Sequence, residues 1–283
     1  LMTLQLYNAD CFEIFPKIQD KSVNLFLLDL PYANKKFGNC TACAWDTPID
    51  LDNMWIEIKR TMKPNGIIIF FCNTKFGCCL INSNPKWFKY DLIWEKSRKV
   101  GFLSANKQPL RKHENIYIFK DKGGTYNPQK TEGKAYNKTN TGNNNKDGCS
   151  YGVIDRSNHL EGDEHRAINT GDRHPTSILP EFEDLGMIKG GYYRSEGAKP
   201  FKRMPNDPTT SHPTSILPEF ETTILKFNNP VKTIHRTQKP VDILEWLIKT
   251  YTNEDDTVMD FCMGSGSCGE ACYNTNRNFI GVE

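Results

Sequence analysis

Four consecutive residues, Asp29-Leu30-Pro31-Tyr32, combine a carboxylate, a backbone carbonyl, a stiffened turn and an aromatic ring. The amino group of a nucleobase is a poor nucleophile because its lone pair is delocalised into the ring. A carboxylate and a carbonyl that accept both amino hydrogens return electron density to that nitrogen as an electrophile arrives. Asp29 and the carbonyl of Leu30 are the right types for this work. Pro31 restricts the backbone, and Tyr32 offers a stacking face for an extruded base. The plain alternative is a strand-end turn with a buried aromatic. Taken alone, the tetrapeptide does not separate the two.

A second constellation lies near the other end of the chain. Asp260-Phe261-Cys262-Met263-Gly264-Ser265-Gly266 runs on to Gly269, which completes G-x-G-x-x-G, and Glu283 stands nineteen residues beyond Gly264. Glycines at this spacing let backbone approach a ligand closely, and an acid at the end of the next strand can hold two ribose hydroxyls. A nicotinamide dinucleotide is the first cofactor to consider. Two features argue against it. The strands that would complete such a domain must come from the N-terminal half, which makes the sheet circularly permuted. Asp260 also repels a pyrophosphate but suits a cationic amino-acid moiety. S-adenosylmethionine, with an ammonium, a sulfonium and a ribose, fits better.

Between these, Thr237-Gln238-Lys239-Pro240 opens a predicted helix, with Thr237 near the cap and Pro240 near the first helical position. The free N–H groups of such an end, together with Lys239, can hold a carboxylate. A plain helix start with an exposed lysine is the other reading.

Elements must bring these groups together. Val23 to Asp29 reads as a buried parallel strand, and residues 50–63 as a helix capped by Asp50 or Asp52, with Met54, Trp55, Ile58 and Met62 on one face. Pro64-Asn65-Gly66 breaks it, and Ile67 to Phe71 forms the next strand. Phe88 to Trp94 and Asn115 to Phe119 are further strands. Regular structure returns with a helix over Pro240 to Tyr251, a strand at Thr257 to Asp260, a helix at Gly269 to Asn274 and a strand from Phe279 to Glu283. This alternation predicts an α/β fold. Residues 121–230 differ, being rich in Gly, Asn, Lys and Pro with a polar tract at 137–148, and predict a surface lobe with loops. Within them His174 to Glu183 recurs word for word as His212 to Glu221. Two copies make no solenoid, and a duplicated strand-and-turn segment is the simpler reading.

The chain has 283 residues, 37% apolar and 25% charged, with a net charge of +2. That balance is too slight to identify a polyanion partner by itself. No apolar run is long enough for a membrane span, and the N-terminus lacks the order of a signal peptide. The ten cysteines then read as reduced thiols, which predicts a cytoplasmic protein. Cys40-x-x-Cys43 has no second pair at zinc spacing, so no metal is expected. Leu1 precedes Met2, and Glu283 directly follows a predicted strand, as in a piece of a longer chain. Charge is uneven: from 96 to 140 eleven basic residues face three acids. Such an excess suits phosphate neutralisation, with Lys96, Arg98, Lys107, Arg111 and Lys112 as candidate DNA contacts; an ordinary solvated face is the alternative.

In order, Asp-x-Pro-Tyr, a variable polar region, Thr-Gln-Lys-Pro and Asp-Phe-x-x-Gly-Ser-Gly resemble the beta-group DNA amino-methyltransferases, the permuted N6-adenine and N4-cytosine enzymes. The likeness covers roughly 1–120 and 231–283. It implies a Rossmann-like S-adenosylmethionine-dependent fold, circularly permuted, with two core halves at 1–120 and 231–283 and a target-recognition insertion at 121–230. By the same resemblance Asp29, Leu30, Pro31 and Tyr32 are catalytic, with Leu30 where the family usually has proline. Asp260, Phe261, Gly264, Ser265, Gly266, Glu283, Thr237, Gln238, Lys239 and Pro240 would meet the cofactor, as would Asp29, and Asp10 would lie near its adenine. Double-stranded DNA is the implied partner, with a cognate endonuclease where the enzyme serves restriction–modification. Monomer and homodimer stay open. Adenine is favoured because Asp opens the tetrapeptide where Ser would suggest cytosine. An N4-cytosine enzyme, a nicotinamide oxidoreductase and a non-catalytic DNA-binding relative are the rivals.

Overall fold

A computed structural model describes residues 2–33, 46–132, 136–138, 167–169, 172–174, 178–179 and 238–283. In chain order the elements are β1 (Leu4–Tyr7), α1 (Cys11–Ile14), β2 (Val23–Leu28), α2 (Leu51–Thr61), β3 (Met62–Cys72), α3 (Thr74–Ser83), β4 (Phe88–Val100) and β5 (Arg111–Phe119). Short strands β6 (Thr131–Glu132), β7 (Tyr136–Lys138), β8 (Ala167–Asn169), β9 (Asp172–Arg173) and β10 (Ile178–Leu179) follow. The chain closes with α4 (Val241–Tyr251), β11 (Thr257–Asp260), α5 (Ser267–Asn274) and β12 (Asn278–Val282).

Eight strands form one sheet in the order β1-β12-β11-β2-β3-β5-β4-β10. All neighbours run parallel except β5, which is antiparallel to both β3 and β4. The predicted permutation is visible in the pairing: β11 lies between β12 and the N-terminal β2, and β1 flanks β12. The described residues between 128 and 175 belong to a separate unit, in which β6 pairs with β9 and β7 with β8, both antiparallel. Among the described residues no helix is long and apolar enough to cross a membrane.

Successive strand residues point to opposite faces, and both faces of this sheet are covered. Phe26, Leu28, Ile68, Phe70 and Cys72 pack with α1, α2 and α3, whereas Leu25, Leu27, Ile67, Ile69 and Phe71 pack with α4 and α5. Burial on both sides explains why β2 and β3 read as continuous apolar runs rather than alternating ones.

The expected strands and helices form, with local differences. Asp50 is the cap of α2, its side chain accepting from the N–H groups of Asp52 and Asn53. Pro64-Asn65-Gly66 ends that helix but lies within β3 rather than before it. The register jumps there, from Val23 opposite Met62 to Leu25 opposite Ile67, so these residues bulge out of the ladder where a proline is tolerated. β4 and β5 are longer than expected and form an antiparallel pair across Glu95–His113 and Val100–Arg111, carrying the basic segment. The first copy of the duplicated segment supplies β10; the second lies outside the described residues.

The third glycine of the loop has a packing reason. A Cβ on Gly269 would lie 2.9 Å from the ring of Phe279 on β12, itself fully buried. Alanine gains about 1 kcal/mol in helix propensity over glycine, but overpacking a rigid core costs about 1–3 kcal/mol. Gly269→Ala is therefore expected to lower unfolding stability, as read by urea denaturation. A midpoint equal to or above that of the parent protein would show that α5 is not seated this closely.

Candidate functional site

β2 and β11 are parallel neighbours, with Val258 opposite Leu25 and Met259 opposite Phe26. Their carboxyl ends therefore adjoin, and each ends in an acid: Asp29 just after β2, Asp260 at the end of β11. From this pair the chain proceeds to opposite sides, to β12 and β1 on one and to β3 on the other. Such a switch point is where open α/β sheets leave a crevice. Here it is a cleft of about 270 Å³, lined among others by Asp29, Pro31, Lys239, Asp260, Gly264 and Glu283. Asp29 and Pro31 of the N-terminal tetrapeptide and the glycine loop thus share one cleft.

The loop is held open by backbone geometry. Gly264 and Gly266 have φ of 51° and 79°, in the left-handed region that favours glycine. Gly266 is the cap of α5. The N–H of Gly264 donates to Glu283 Oε2 at 2.7 Å, which ties the acid of β12 back to the loop. Asp260 Oδ1 accepts from the N–H of Cys262 at 3.0 Å. Burial pushes the Asp260 carboxyl up to about 7 against that hydrogen bond, and the charges of Asp29 and Glu283 add to the rise. Phe261 is buried against Phe15 and Phe26, which anchors the loop, and it also lines the cleft. Ser265 and Met263 line the cleft.

Across the cleft, Asp29 sits in a network of charges. Its Oδ2 pairs with Lys239 Nζ, and its Oδ1 accepts from the Tyr32 hydroxyl at 3.0 Å. The same hydroxyl lies 2.7 Å from Glu114 Oε1, and Lys239 Nζ is 3.4 Å from that oxygen. Glu114 Oε2 pairs with Lys96. Burial raises the Asp29 carboxyl above its ordinary value, and Glu114 adds repulsion, against the pull of Lys239. Glu114 goes the other way: although burial opposes it, Lys239 and Lys96 hold it down at about 2. Burial, Asp29 and Glu114 keep the Tyr32 phenol protonated, as a donor. The ring of Tyr32 stacks on Phe76, with centroids 5.5 Å apart and planes 24° from parallel. Leu30 is buried, with 2% of the residue exposed, between Asp29 and Pro31, which line the cleft.

Other predicted residues fall in different settings. Pro240 is the cap of α4 rather than its first helical residue. Thr237 lies outside the described residues, as do Cys40 and Cys43. Lys239 is buried, with its ammonium on Asp29 and Glu114 and 5.1 Å above the Phe71 ring. Gln238 lines the cleft. Asp10 is exposed and caps α1, accepting from the N–H of Phe12 at 2.8 Å; its neighbour Cys11 lines the cleft instead. Of the basic residues, Lys96 and Lys112 are engaged with Glu114 and Glu95, and Arg111 donates to the carbonyl of His113. Arg98 and Lys107 are exposed.

Glu114 was not singled out in the sequence. The signal was present, since it precedes the apolar run Asn115 to Phe119 as Asp29 ends another, and a buried acid beside such a run needs a cationic partner.

A family model described as DNA methylase matches residues 23–283. The Type II methyltransferase M1.MboII of Moraxella bovis is 25% identical, over 99% of this chain and 91% of that protein. The Type II methyltransferase M.BglII of Bacillus subtilis is 23% identical, over 99% of this chain and 65% of that protein. Among solved structures, the M1.HpyAVI–SAM complex superposes with a TM-score of 0.51 at 20% identity, over 99% of this chain and 94% of that one. PvuII DNA methyltransferase (cytosine-N4-specific) gives 0.52 at 12% identity, over 99% and 82%. These structures share the fold. With its motifs gathered at one cleft and the family match spanning nearly its whole length, the chain belongs to the DNA methylases of the N6/N4 type.

Proposed function

We propose that this protein transfers a methyl group from S-adenosylmethionine to the N6 amino group of adenine in duplex DNA. One observation carries the reading: Asp29 of the tetrapeptide and Asp260, Gly264 and Glu283 of the cofactor loop line the same cleft. Its walls fit the cofactor chemically. Three carboxylates and one buried lysine favour a cationic ligand, and the left-handed glycines leave backbone room for it. Asp260 would hold the ammonium. Glu283 would take a ribose hydroxyl, and Gln238 and the start of α4 would take the carboxylate beside that ammonium. Bound there, S-adenosylmethionine supplies an activated methyl group.

The chain's own residues do the rest. Asp29 and the Leu30 carbonyl accept the two amino hydrogens of an extruded base, which localises the nitrogen lone pair, and Asp29 can take the proton released afterwards. Tyr32, backed by Phe76, offers its ring as a stacking platform. The exposed Arg98 and Lys107, with other lysines of this basic stretch, would neutralise backbone phosphates. Where the enzyme serves a restriction–modification system, a cognate endonuclease would share its DNA site.

Adenine follows from Asp at the head of the tetrapeptide. Incubation of unmethylated bacterial genomic DNA with labelled cofactor should yield N6-methyladenine on nucleoside analysis; N4-methylcytosine would contradict this specificity. Replacing Asp29 by alanine should slow transfer by at least about a hundredfold while cofactor binding persists, because Lys239 retains Glu114. Equal activity would refute the role of Asp29.

Asp260 gives a pH signature. A cation binds its ionised form, so cofactor affinity should rise with pH through about 7 and level off above it. Below that value affinity should fall by up to about tenfold per unit. Calorimetric titrations with S-adenosylmethionine from about pH 5 to about pH 8 would read this. The step should vanish in Asp260→Asn, and a flat profile in the parent protein would remove Asp260 from the ammonium site.

A further inference from the structure

Two donors in the site, Lys239 Nζ and the Tyr32 hydroxyl, each stand between the same two carboxylates. Lys239 pairs with Asp29 Oδ2 and is 3.4 Å from Glu114 Oε1. Tyr32 lies 3.0 Å from Asp29 Oδ1 and 2.7 Å from that Glu114 oxygen. The two acids are not equivalent. Asp29 lines the cleft, whereas Glu114, on β5, is absent from its lining and has a side chain only 8% exposed.

This arrangement poses a problem for any reaction that uses Asp29. Asp29 already accepts from Lys239 on one oxygen and from Tyr32 on the other, so an amino group must compete with these donors for the charge of the carboxylate. Stripping a buried ammonium of its partner is costly, and so is leaving a buried hydroxyl unsatisfied. Glu114 removes most of that cost, because both donors are within reach of it. Lys96 on its other oxygen keeps it fixed and charged.

We propose that Glu114 is a positioning residue for methyl transfer: it receives Lys239 and Tyr32 as Asp29 is released to the substrate amino group. This rests on the assignment of Asp29 as the acceptor. Without the Glu114 charge, Lys239 stays on Asp29 and neutralises it, which weakens it as an acceptor. The lysine, useful in the parent protein, then becomes an internal inhibitor.

The test is single-turnover methylation of unmethylated bacterial genomic DNA by the full chain, pre-bound to S-adenosylmethionine. Glu114→Gln, which preserves shape, should slow the step by about a hundredfold, as for other lost electrostatic contacts in active sites, with cofactor affinity nearly unchanged. Adding Lys239→Met to that variant should recover about tenfold or more of the loss, the signature of coupled residues. A merely structural Glu114 would instead give losses that accumulate. Parental rates in Glu114→Gln, or further loss in the double variant, would overturn the proposal. Should Glu114→Gln not fold, Glu114→Asp retains the charge on a shorter arm; a loss of about tenfold supports the role and a parental rate overturns it. Asp29→Ala, run alongside, separates the two ideas: if it stays active the acceptor assignment itself has failed.

Discussion

Parallel pairing of β2 with β11 forces two strand-end carboxylates, Asp29 and Asp260, to face one cleft, and everything else in the site answers that crowding. Like charges in a partly desolvated space cannot all ionise without a cation. Lys239 is that cation. Burial weakens its charge, but Asp29 and Glu114 together more than restore it and hold its pKa above the ordinary lysine value. The acids then separate by environment: Glu114 stays low at about 2, Asp29 is raised, and Asp260 reaches about 7. One acid is a fixed anion, one is poised for protons, and one favours a cationic ligand.

The fold serves this arrangement through close seating of helices on the sheet. A Cβ on Gly77 of α3 would lie 2.5 Å from the Tyr117 ring on β5. That glycine allows α3 to approach β5, and the residue before it, Phe76, is then brought beneath the Tyr32 ring. Gly269 does the same for α5 against β12, which sets the glycine loop over the sheet edge. Within the eight-stranded sheet β5 runs antiparallel to both neighbours and carries Glu114 near its start, so this acid reaches the carboxyl ends of the parallel strands.

Much of this was legible in the residues. The apolar runs of β2 and β3 announce strands covered on both faces, and the acids and glycines at their ends announce a ligand edge. The permutation followed from where the glycine loop sits in the chain. What stayed hidden depends on long-range pairing. Lys239 reads as a contact to a cofactor carboxylate, or else as an exposed lysine at a helix start, because nothing nearby in sequence shows the two acids that bury it, more than 100 residues away (29 and 114). That Asp10 caps a helix, and that Lys96 and Lys112 each pair with an acid of β4 and β5, is likewise not visible in the sequence. Pro64-Asn65-Gly66 reads as a break because a bulge cannot be told from a turn without its partner strand.

The most direct measurement is a crystal structure of the protein with S-adenosylhomocysteine bound. The account predicts the amino-acid end of the ligand at Asp260, its ribose at Glu283, and its sulfur facing the carboxylate of Asp29 across the cleft. A ligand seated elsewhere, or an Asp29 turned away from the sulfur with no passage between them, would contradict it.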